Sequence, residues 1–239
     1  MSVIYLVRHG QASFGSENYD KLSPLGCTQA EVLGEYFSQA GIHFDAAYAG
    51  DLARQQKTAR LALALQPHVR EPIIDARLNE VNNDEHFEHL LPIVSAQDPA
   101  IQALLEKGLR ESRDYQKAIE AVFNYWVSAD CKHPAIQSWA DFSTDVLKVF
   151  SHIRQAEGAG KTIAVFSSGG TIATAVAQVL ELGGEHTYRF YEPMMNCSIT
   201  QIIYGSKKAS LSVFNDISYL QAAGLQRKEH KQNNLVTYR

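Results

Sequence analysis

The sequence predicts an α/β fold: a mostly parallel, doubly wound sheet with helices on both faces and an inserted helical cap subdomain. Residues 3–7 and 163–166 are continuous apolar runs, which is the pattern of strands buried on both faces. Helical segments alternate with these and other short strands, and such alternation favours a parallel sheet covered on both faces. The pattern changes between about residues 81 and 136, which we interpret as an insertion in a single domain that spans 1–239.

The first half of the chain contains a helix whose start and end are both marked in the sequence. Ser23 is a favoured N-cap residue, and Pro24 is a favoured first helical residue. Apolar residues then recur at helical spacing up to Gly41, which predicts an amphipathic helix. The other elements of this half are short: a strand at 46–49, a helix at about 51–65 and a strand at 73–74.

The cap segment differs from its surroundings in composition. Polar and charged residues dominate residues 82–88, and two helical stretches follow near 100–109 and 116–127. Ser138 and Asp141 then form a variant of the capping box, which predicts the start of a long helix. The aromatic residues of this region fall at helical spacing, so we expect core packing rather than substrate stacking from Tyr115, Tyr125, Trp126 and Trp139.

The last part of the chain continues the alternation. Its predicted elements are a strand at 163–166, a helix at 171–182 and strands at 198–204 and 211–214. The tail after Gly224 is polar, and we expect it to be mobile. Ligands of parallel sheets bind at the carboxyl ends of strands, and two unusual polar segments fall there: residues 8–10 and 167–170.

Composition and charge exclude several classes of protein. The 239 residues include 22 Lys and Arg against 26 Asp and Glu, a formal net charge of −4, whereas a nucleic-acid-binding surface needs a basic surplus. Cys27, Cys131 and Cys197 are far apart and show no C-x-x-C spacing, so neither a disulfide framework nor a zinc finger is expected, and a reducing, cytoplasmic location fits best. The uncharged stretch 162–180 is interrupted at 167–170, so we expect no membrane span.

The tripeptide Arg8-His9-Gly10 places a fixed cation, an imidazole and a flexible glycine at the end of the first strand. Arginine donates two parallel hydrogen bonds to phosphate oxygens, and glycine lets the backbone approach a ligand closely. This combination predicts a small phosphate-binding site at the strand end. On its own, the tripeptide is equally compatible with an ordinary surface turn.

Four further segments accompany this tripeptide in a defined order. The full set is Leu6–Gly10, Leu22–Ala30, Asp51–Ala59, Leu78–Glu80 and Ser168–Ile172. In order and spacing these segments resemble the histidine phosphatase superfamily, also called the phosphoglycerate mutase-like proteins. The resemblance extends from Val3 to about Tyr204; the insert at 81–136 matches the family in position but carries no motif of it.

The resemblance implies a phosphatase that works through a covalent phosphohistidine. His9 corresponds to the nucleophile, and Glu80 corresponds to the general acid that protonates the leaving alcohol. Arg8 and Arg54 correspond to the pair that holds the non-bridging phosphoryl oxygens. The chemistry agrees, because His9 must be neutral to attack and adjacent guanidinium groups disfavour its protonated form. We expect no metal or other cofactor, and the expected partner is a small phosphorylated substrate or a phosphopeptide.

One family position differs here in a way that bears on rate. The family has a second histidine in an S-H-G-G context, where this chain has Ser168. A hydroxyl still donates to phosphate but carries no charge, and charge-assisted hydrogen bonds are roughly twice as strong as neutral ones. We therefore expect weak or specialised catalysis, with Ser168 and the backbone of Gly169 still binding phosphate at a helix start.

A second difference follows His9. The Trp-Asn pair that usually follows in phosphoglycerate mutases is absent, and this chain has Gln11-Ala12-Ser13 instead, which disfavours a mutase. Gln11 and Ser13 are candidates to complete the pocket. His86 or His89 of the cap is a candidate to replace the missing imidazole, although solvated loop histidines are the more common case.

Three other hypotheses remain open from the residues. An esterase nucleophile at Ser168 requires a G-x-S-x-G turn, and Phe166 occupies the place of the first glycine. A catalytically decayed protein would keep Arg8, His9 and Arg54 to bind a phospho-ligand without turnover. A phosphoglycerate mutase-type phosphotransferase would pass the phosphoryl group to a second acceptor.

Overall fold

The computed structural model describes residues 1–13, 20–109, 111–226 and 234–238. The strands are β1 (Ser2–Arg8), β2 (Ala46–Ala49), β3 (Ile73–Ile74), β4 (Thr162–Ser167), β5 (Ile199–Tyr204) and β6 (Ala209–Asp216). The helices are α1 (Pro24–Gln39), α2 (Ala53–Leu63), α3 (Asn83–His89), α4 (Leu91–Gln97), α5 (Pro99–Glu106), α6 (Ser112–Val127), α7 (Trp139–Glu157), α8 (Gly169–Val179), α9 (Tyr188–Tyr191) and α10 (Ser218–Gln226). Short 3-10 turns cover Ala76–Leu78 and Gly184–His186.

The strands of the described residues form one mixed sheet in the order β3-β2-β4-β1-β5-β6. Neighbouring strands from β3 to β1 run parallel, whereas β5 pairs antiparallel with both β1 and β6. The predicted α/β class with a mostly parallel sheet is therefore confirmed. The antiparallel strands β5 and β6 form one end of the sheet, and helix α2 packs near the other end, against β2 and β4.

Hydrophobic clusters cover both faces of the sheet. Ile4 and Leu6 of β1 belong to one cluster, and Val7 belongs to the other, as expected from the alternation of side chains along a strand. The Val7 side packs against α1, α2 and α10, with Phe37 fully buried. The Ile4 side packs against α7, α8 and the helices between residues 83 and 127, where Trp126 is 2% exposed. These intervening helices therefore share a core with the sheet, and their identity as an inserted cap stays a prediction.

Helix α2 begins later than the sequence predicts. The prediction placed its start at about Asp51, whereas Leu52 is still extended and the helix starts at Ala53. The Ala53 amide donates to the Asp20 carboxylate at 2.7 Å, so a side chain from another part of the chain caps this helix. Local sequence alone carries no signal for a cap of that kind.

Helix α8 begins earlier and ends earlier than the predicted range of 171–182. Ser168 has extended backbone angles and precedes the first helical residue, so both glycines of its segment lie in the first turn. At the other end Glu181 has a φ of 57°, in the left-handed region, which stops the helix before Gly183.

In two regions the structure adds to or corrects the sequence prediction. The polar segment 82–88, for which the sequence predicts no element, contains the N-cap Asn82 and most of α3; the Asn82 side chain accepts from the Glu85 amide at 3.3 Å. The expectation that the tail is mobile is wrong for residues 234–238, since Leu235 is 5% exposed and its carbonyl accepts from Gln29 at 2.7 Å. For residues 227–233 and 239 that expectation lies outside the described residues.

None of the helices in the described ranges combines the length and the apolar character that crossing a membrane requires.

Candidate active site

The ends of two neighbouring strands place the predicted phosphate-binding segments side by side. Strand β1 pairs with β4 so that Arg8 lies opposite Ser167. The His9 amide donates to the Ser167 carbonyl at 2.9 Å, so the pairing continues one step beyond the strand. His9 and the start of α8 therefore meet at the carboxyl edge of the sheet, where parallel sheets bind their ligands.

The turn after His9 packs tightly against the start of α1. A Cβ atom at Gly10 would lie 2.5 Å from the carbonyl oxygen of Gly26, and one at Gly26 would lie 2.1 Å from the carbonyl oxygen of Gln11. Glycine is therefore required at both positions for steric reasons. The Gly10 amide also donates to the Thr58 hydroxyl on α2 at 3.0 Å, which fixes the backbone that carries His9.

The His9 imidazole is held in one tautomer. Its Nε2 atom lies 3.2 Å from the Nε–H of Arg54, which can only donate, so Nε2 carries a lone pair. Its Nδ1 atom lies 2.8 Å from the carbonyl oxygen of Gly10, so the proton lies there. Burial lowers the pKa of His9 well below its usual range, and the charges of Arg54 and Arg8 lower it further. The ring is neutral at physiological pH, with its lone pair on Nε2.

Arg54 is held beside His9 by an acidic partner. Its Nη1 forms an ion pair with the Asp20 carboxylate at 2.8 Å, and the Arg54 side chain is 8% exposed. The same carboxylate caps α2 through the Ala53 amide. Asp20 therefore fixes both the helix that carries Arg54 and the direction of its guanidinium group.

Arg8 is held from the opposite side by backbone carbonyls. Its Nη1 donates to the Met194 carbonyl and, at 3.1 Å, to the Tyr238 carbonyl. Its Nε atom is buried and has no hydrogen-bond partner among the residues that the structure describes. A buried guanidinium with an unused donor is costly unless a ligand accepts that bond, and a phosphoryl oxygen is suited to do so.

Glu80 lies in the same cavity as His9, on the segment that follows the 3-10 turn Ala76–Leu78. Its Oε1 accepts from the Gly170 amide at 2.9 Å and from the Val81 amide at 3.0 Å. Burial raises the pKa of the Glu80 carboxyl and outweighs the charges of Arg54 and Arg8, which act in the opposite direction. A carboxyl that keeps its proton to a higher pH is suited to act as a general acid.

Ser168 lies behind the cavity rather than in its wall. The side chain has no exposed surface, and its Oγ accepts from Gln55 Nε2 at 2.8 Å. Gln55 Nε2 also donates to the Leu78 carbonyl at 3.1 Å, so this amide connects the β4 end to the segment that carries Glu80. Gly169 lies closer to the predicted phosphate position, because a Cβ atom there would lie 3.7 Å from Arg8 Nε and would collide with the Tyr191 ring.

Of the four remaining candidates, His86 lines the cavity, whereas Gln11, Ser13 and His89 do not. The Gln11 amide donates to Gln29 Oε1 at 2.8 Å, and its side chain accepts from Ser23 at 2.8 Å. His86 does line the cavity, with its ring 4.4 Å from that of Trp126. Burial lowers the pKa of His86 to about 4, so this imidazole is neutral and supplies no replacement charge.

The cavity has a volume of about 720 Å³ and two contrasting sides. We call Arg8, His9, Arg54 and Glu80 the cavity floor. The cap-side wall comes from α3 and α6 and contains Asp84, Glu85, His86, Tyr115, Gln116 and Trp126. The expectation that Tyr115 and Trp126 serve packing alone is therefore incomplete, because both also line this wall.

The four side chains of the floor supply three kinds of group that suit transfer of a phosphoryl group. Two guanidinium groups flank a neutral imidazole whose lone pair is directed at one of them, and a carboxyl with a raised pKa lies in the same cavity. Across the part of the chain that the structure describes, no group of three or more His, Cys, Asp or Glu side chains is placed to hold a metal ion. The absence of a metal requirement stays a prediction.

Several residues that orient the side chains of the floor were not predicted from the sequence. Asp20 orients Arg54, Gln55 holds Ser168, and the carbonyls of Met194 and Tyr238 orient Arg8. Gln55 follows Arg54 directly in a recognised motif, so its position carried a signal. The others come from distant parts of the chain and become visible only through the tertiary structure.

The comparisons with known proteins agree on one family. The sequence profile of the histidine phosphatase superfamily (branch 1) matches residues 4–217. A 2,3-bisphosphoglycerate-dependent phosphoglycerate mutase of Allorhizobium ampelinum is 37% identical over 84 residues, which cover 32% of this chain and 40% of that protein. The match thus spans less than half the length of this curated relative.

Solved structures match over nearly the whole chain at lower identity. A mutant of the phosphoserine phosphatase of Entamoeba histolytica in complex with phosphoserine is 18% identical, with a TM-score of 0.62 over 92% of this chain and 100% of that one. A phosphoglycerate mutase of Bacillus anthracis is 22% identical, with a TM-score of 0.62 over 91% of this chain and 94% of that one. At this identity the likeness establishes the fold.

Proposed function

The chain belongs to the histidine phosphatase superfamily, and from this premise we propose that it is a phosphomonoesterase that forms a phosphohistidine on His9. The observation that carries the proposal is the hydrogen bond from Arg54 Nε to His9 Nε2 at 3.2 Å. It supports a neutral imidazole whose nucleophilic atom lies beside a group that binds phosphoryl oxygens.

In the first step, Arg54 Nε–H moves its hydrogen bond from His9 Nε2 to a phosphoryl oxygen, and the freed lone pair of Nε2 attacks the phosphorus atom in line with the leaving oxygen. The bond from phosphorus to the leaving oxygen breaks as the bond from nitrogen to phosphorus forms, and Glu80 gives its proton to the departing alkoxide. The phosphorylated ring becomes positively charged while its Nδ1–H stays on the Gly10 carbonyl, which lies 2.8 Å away and stabilises that charge.

In the second step, water attacks the phosphorus of the phosphohistidine. The Glu80 carboxylate takes the proton of the water, the oxygen bonds to phosphorus, and the electron pair of the broken bond returns to His9 Nε2. Inorganic phosphate leaves, and both side chains regain their starting protonation states. Glu80 thus acts as a general acid in the first step and as a general base in the second, and it ends the cycle with its proton restored.

Arg8 and Arg54 act on the phosphoryl oxygens in both steps. Their charges are fixed, largely buried and already oriented by Tyr238, Met194 and Asp20, so little reorganisation is needed as charge spreads over these oxygens. We place Gly169 at the edge of this phosphate site. The Ser168 hydroxyl contributes indirectly, through Gln55, rather than by contact with phosphate.

The test is release of inorganic phosphate from phenyl phosphate by the purified chain in the presence of a metal chelator. We expect slow turnover by the wild type and none above the uncatalysed rate with His9→Ala, whereas His43→Ala, outside the cavity, should leave the rate unchanged. Persistent turnover by His9→Ala contradicts the mechanism. Binding of phosphate without any turnover by the wild type indicates a decayed binding protein.

A phosphotransfer function is the second candidate, because several curated relatives of the chain are phosphoglycerate mutases. Incubation with 2,3-bisphosphoglycerate and 3-phosphoglycerate separates the two activities. A phosphatase forms no 2-phosphoglycerate, whatever its rate of phosphate release from these two esters. Accumulation of 2-phosphoglycerate without release of phosphate supports a mutase instead.

A further inference from the structure

The cavity is much larger than a phosphoryl group needs. Its volume of about 720 Å³ falls within the range of roughly 300–1,000 Å³ that holds drug-sized ligands. The floor occupies one end of this space with the groups that bind phosphate. The rest of the space is available to the leaving alcohol.

The lining of that remaining space is rich in aromatic rings. Tyr115 of the cap-side wall, Tyr191 of α9 and Tyr238 of the tail are all partly exposed and line the cavity. Trp126 and the His86 ring, which lies 4.4 Å from it, form the inner part of the wall. Aromatic side chains favour stacked or edge-to-face contacts with a flat apolar partner.

Charge is distributed unevenly over the same lining. Among the described residues that line the cavity, the Lys and Arg side chains are Arg8 and Arg54, and both lie on the floor. The charged groups of the cap-side wall are the exposed carboxylates of Asp84 and Glu85. A leaving group that carries a carboxylate or a second phosphate would therefore meet negative charge on this wall, and among the described lining residues it would find no cation beyond those of the floor.

We propose that the substrates are monophosphate esters of bulky aromatic alcohols that carry no negative charge in the leaving group. This inference rests on the proposed phosphatase function and specifies its substrate class. The ring of the alcohol packs between Tyr115 and the inner wall formed by Trp126 and His86. Phosphoglycerates and bisphosphates are disfavoured by Asp84 and Glu85.

The test compares esters whose leaving oxygens are all primary alkoxides, so that intrinsic reactivity is similar. These esters are 2-phenylethyl phosphate, glycerol 3-phosphate and 3-phosphoglycerate. We expect kcat/KM for 2-phenylethyl phosphate to exceed that for 3-phosphoglycerate by at least about 10-fold, with glycerol 3-phosphate between them. Equal or better use of 3-phosphoglycerate overturns the inference and leaves the phosphatase function intact.

Two pairs of variants locate the source of the preference. Tyr115→Ala should lower kcat/KM for 2-phenylethyl phosphate by about 2- to 10-fold, and by a smaller factor for glycerol 3-phosphate, whereas Tyr125→Ala, on the same helix but outside the lining, should change neither. Glu85→Lys should raise use of 3-phosphoglycerate several-fold, whereas Glu88→Lys, which adds the same charge to α3 outside the lining, should not. Equal effects within either pair contradict the proposed contacts.

A binding measurement separates this inference from the proposed function. Calorimetry with His9→Ala, which cannot form the phosphohistidine, should show the same order of affinities for the three esters. If the order holds while the wild type turns over none of them, the phosphatase function fails and the ligand class stands. If the order is reversed, the ligand class fails whatever the turnover.

Discussion

The cavity floor and the cap-side wall differ in how their side chains are held. On the floor, Arg54 and Glu80 are fixed by an ion pair and by backbone amides. On the wall, the carboxylates of Asp84 and Glu85 are exposed and form no ion pair within the described residues. Fixed, buried charges suit the transfer of the phosphoryl group, which is the same in every phosphomonoester. Aromatic rings and exposed carboxylates suit discrimination between the alcohols to which that group is attached.

The largest loss of activity is expected when a cation is removed from the floor. Arg54→Ala removes the donor to His9 Nε2 and one of the two cations that we propose bind the phosphoryl oxygens, so kcat should fall by about 10²- to 10³-fold. Arg60→Ala is the matched control, since Arg60 lies on the same helix in a surface ion pair with Glu71. Steady-state kinetics on phenyl phosphate measures both, and similar losses in the two variants would contradict the assignment of Arg54.

Glu80→Gln should reduce the rate in a way that depends on the leaving group. Loss of the general acid costs on the order of 10²- to 10⁴-fold when the departing oxygen is a basic alkoxide, and much less for a nitrophenolate, which needs no proton. Glu88→Gln, outside the cavity lining, serves as the control. Equal losses with 2-phenylethyl phosphate and 4-nitrophenyl phosphate would remove Glu80 from its role as acid.

The same residue predicts the pH dependence of kcat/KM. Because burial raises the pKa of Glu80, the protonated form persists to higher pH, and the rate falls as pH rises through that raised pKa. Because the pKa of His9 is lowered, protonation of the nucleophile reduces the rate only at distinctly acidic pH. The alkaline limb should disappear in Glu80→Gln; a wild-type rate that increases steadily from pH 5 to 9 would contradict this assignment.

Asp20→Asn should have an intermediate effect, because it weakens the support of Arg54 without removing the cation. We expect kcat to fall by about 10-fold, with a smaller change in KM, since a neutral amide at 2.8 Å orients a guanidinium less firmly than a carboxylate does. Glu71→Gln breaks a surface ion pair to the same helix and should leave kcat unchanged. A loss in thermal stability alone, at constant kcat, would reduce Asp20 to a helix cap.

The smallest expected effect concerns the family position that Ser168 occupies. Gln55 Nε2 lies 2.8 Å from Ser168 Oγ, in space that an imidazole would need. Ser168→His alone should therefore not raise kcat, whereas Gln55→Ala combined with Ser168→His should raise it by a few-fold relative to that single variant. An increase of equal size in the single variant would show that Gln55 is no obstacle.

The contrast between floor and wall also explains what the sequence could predict. Arg8 and His9 are adjacent in the chain, and strand β1 places them at a sheet edge by pattern alone, so the centre of the floor was predictable. Asp20 and Tyr238 were not, because a capping carboxylate and a backbone carbonyl act across the fold without a local motif. Their roles depend on how the chain folds back on itself.

For the cap-side wall, the spacing of the aromatic residues could not show whether their rings face the core or a cavity. Tyr115 and Trp126 lie on one amphipathic helix, and helical spacing is the same whether an aromatic ring faces the core or a cavity. Ser168 illustrates the opposite case: the family position predicted contact with phosphate, whereas the hydroxyl is fully buried against Gln55. A neighbouring side chain that hydrogen-bonds a motif residue can keep that residue out of the site.

Capture of the covalent intermediate tests the proposed phosphohistidine on His9 most directly. Brief mixing with ³²P-labelled phenyl phosphate, followed by quenching in alkali, should leave acid-labile, alkali-stable label on the protein, and peptide mapping should place it on His9. The label should be absent from His9→Ala and unchanged in Glu88→Gln. Phosphate release by the wild type with no label on His9, at a time resolution faster than turnover, would contradict the phosphohistidine mechanism.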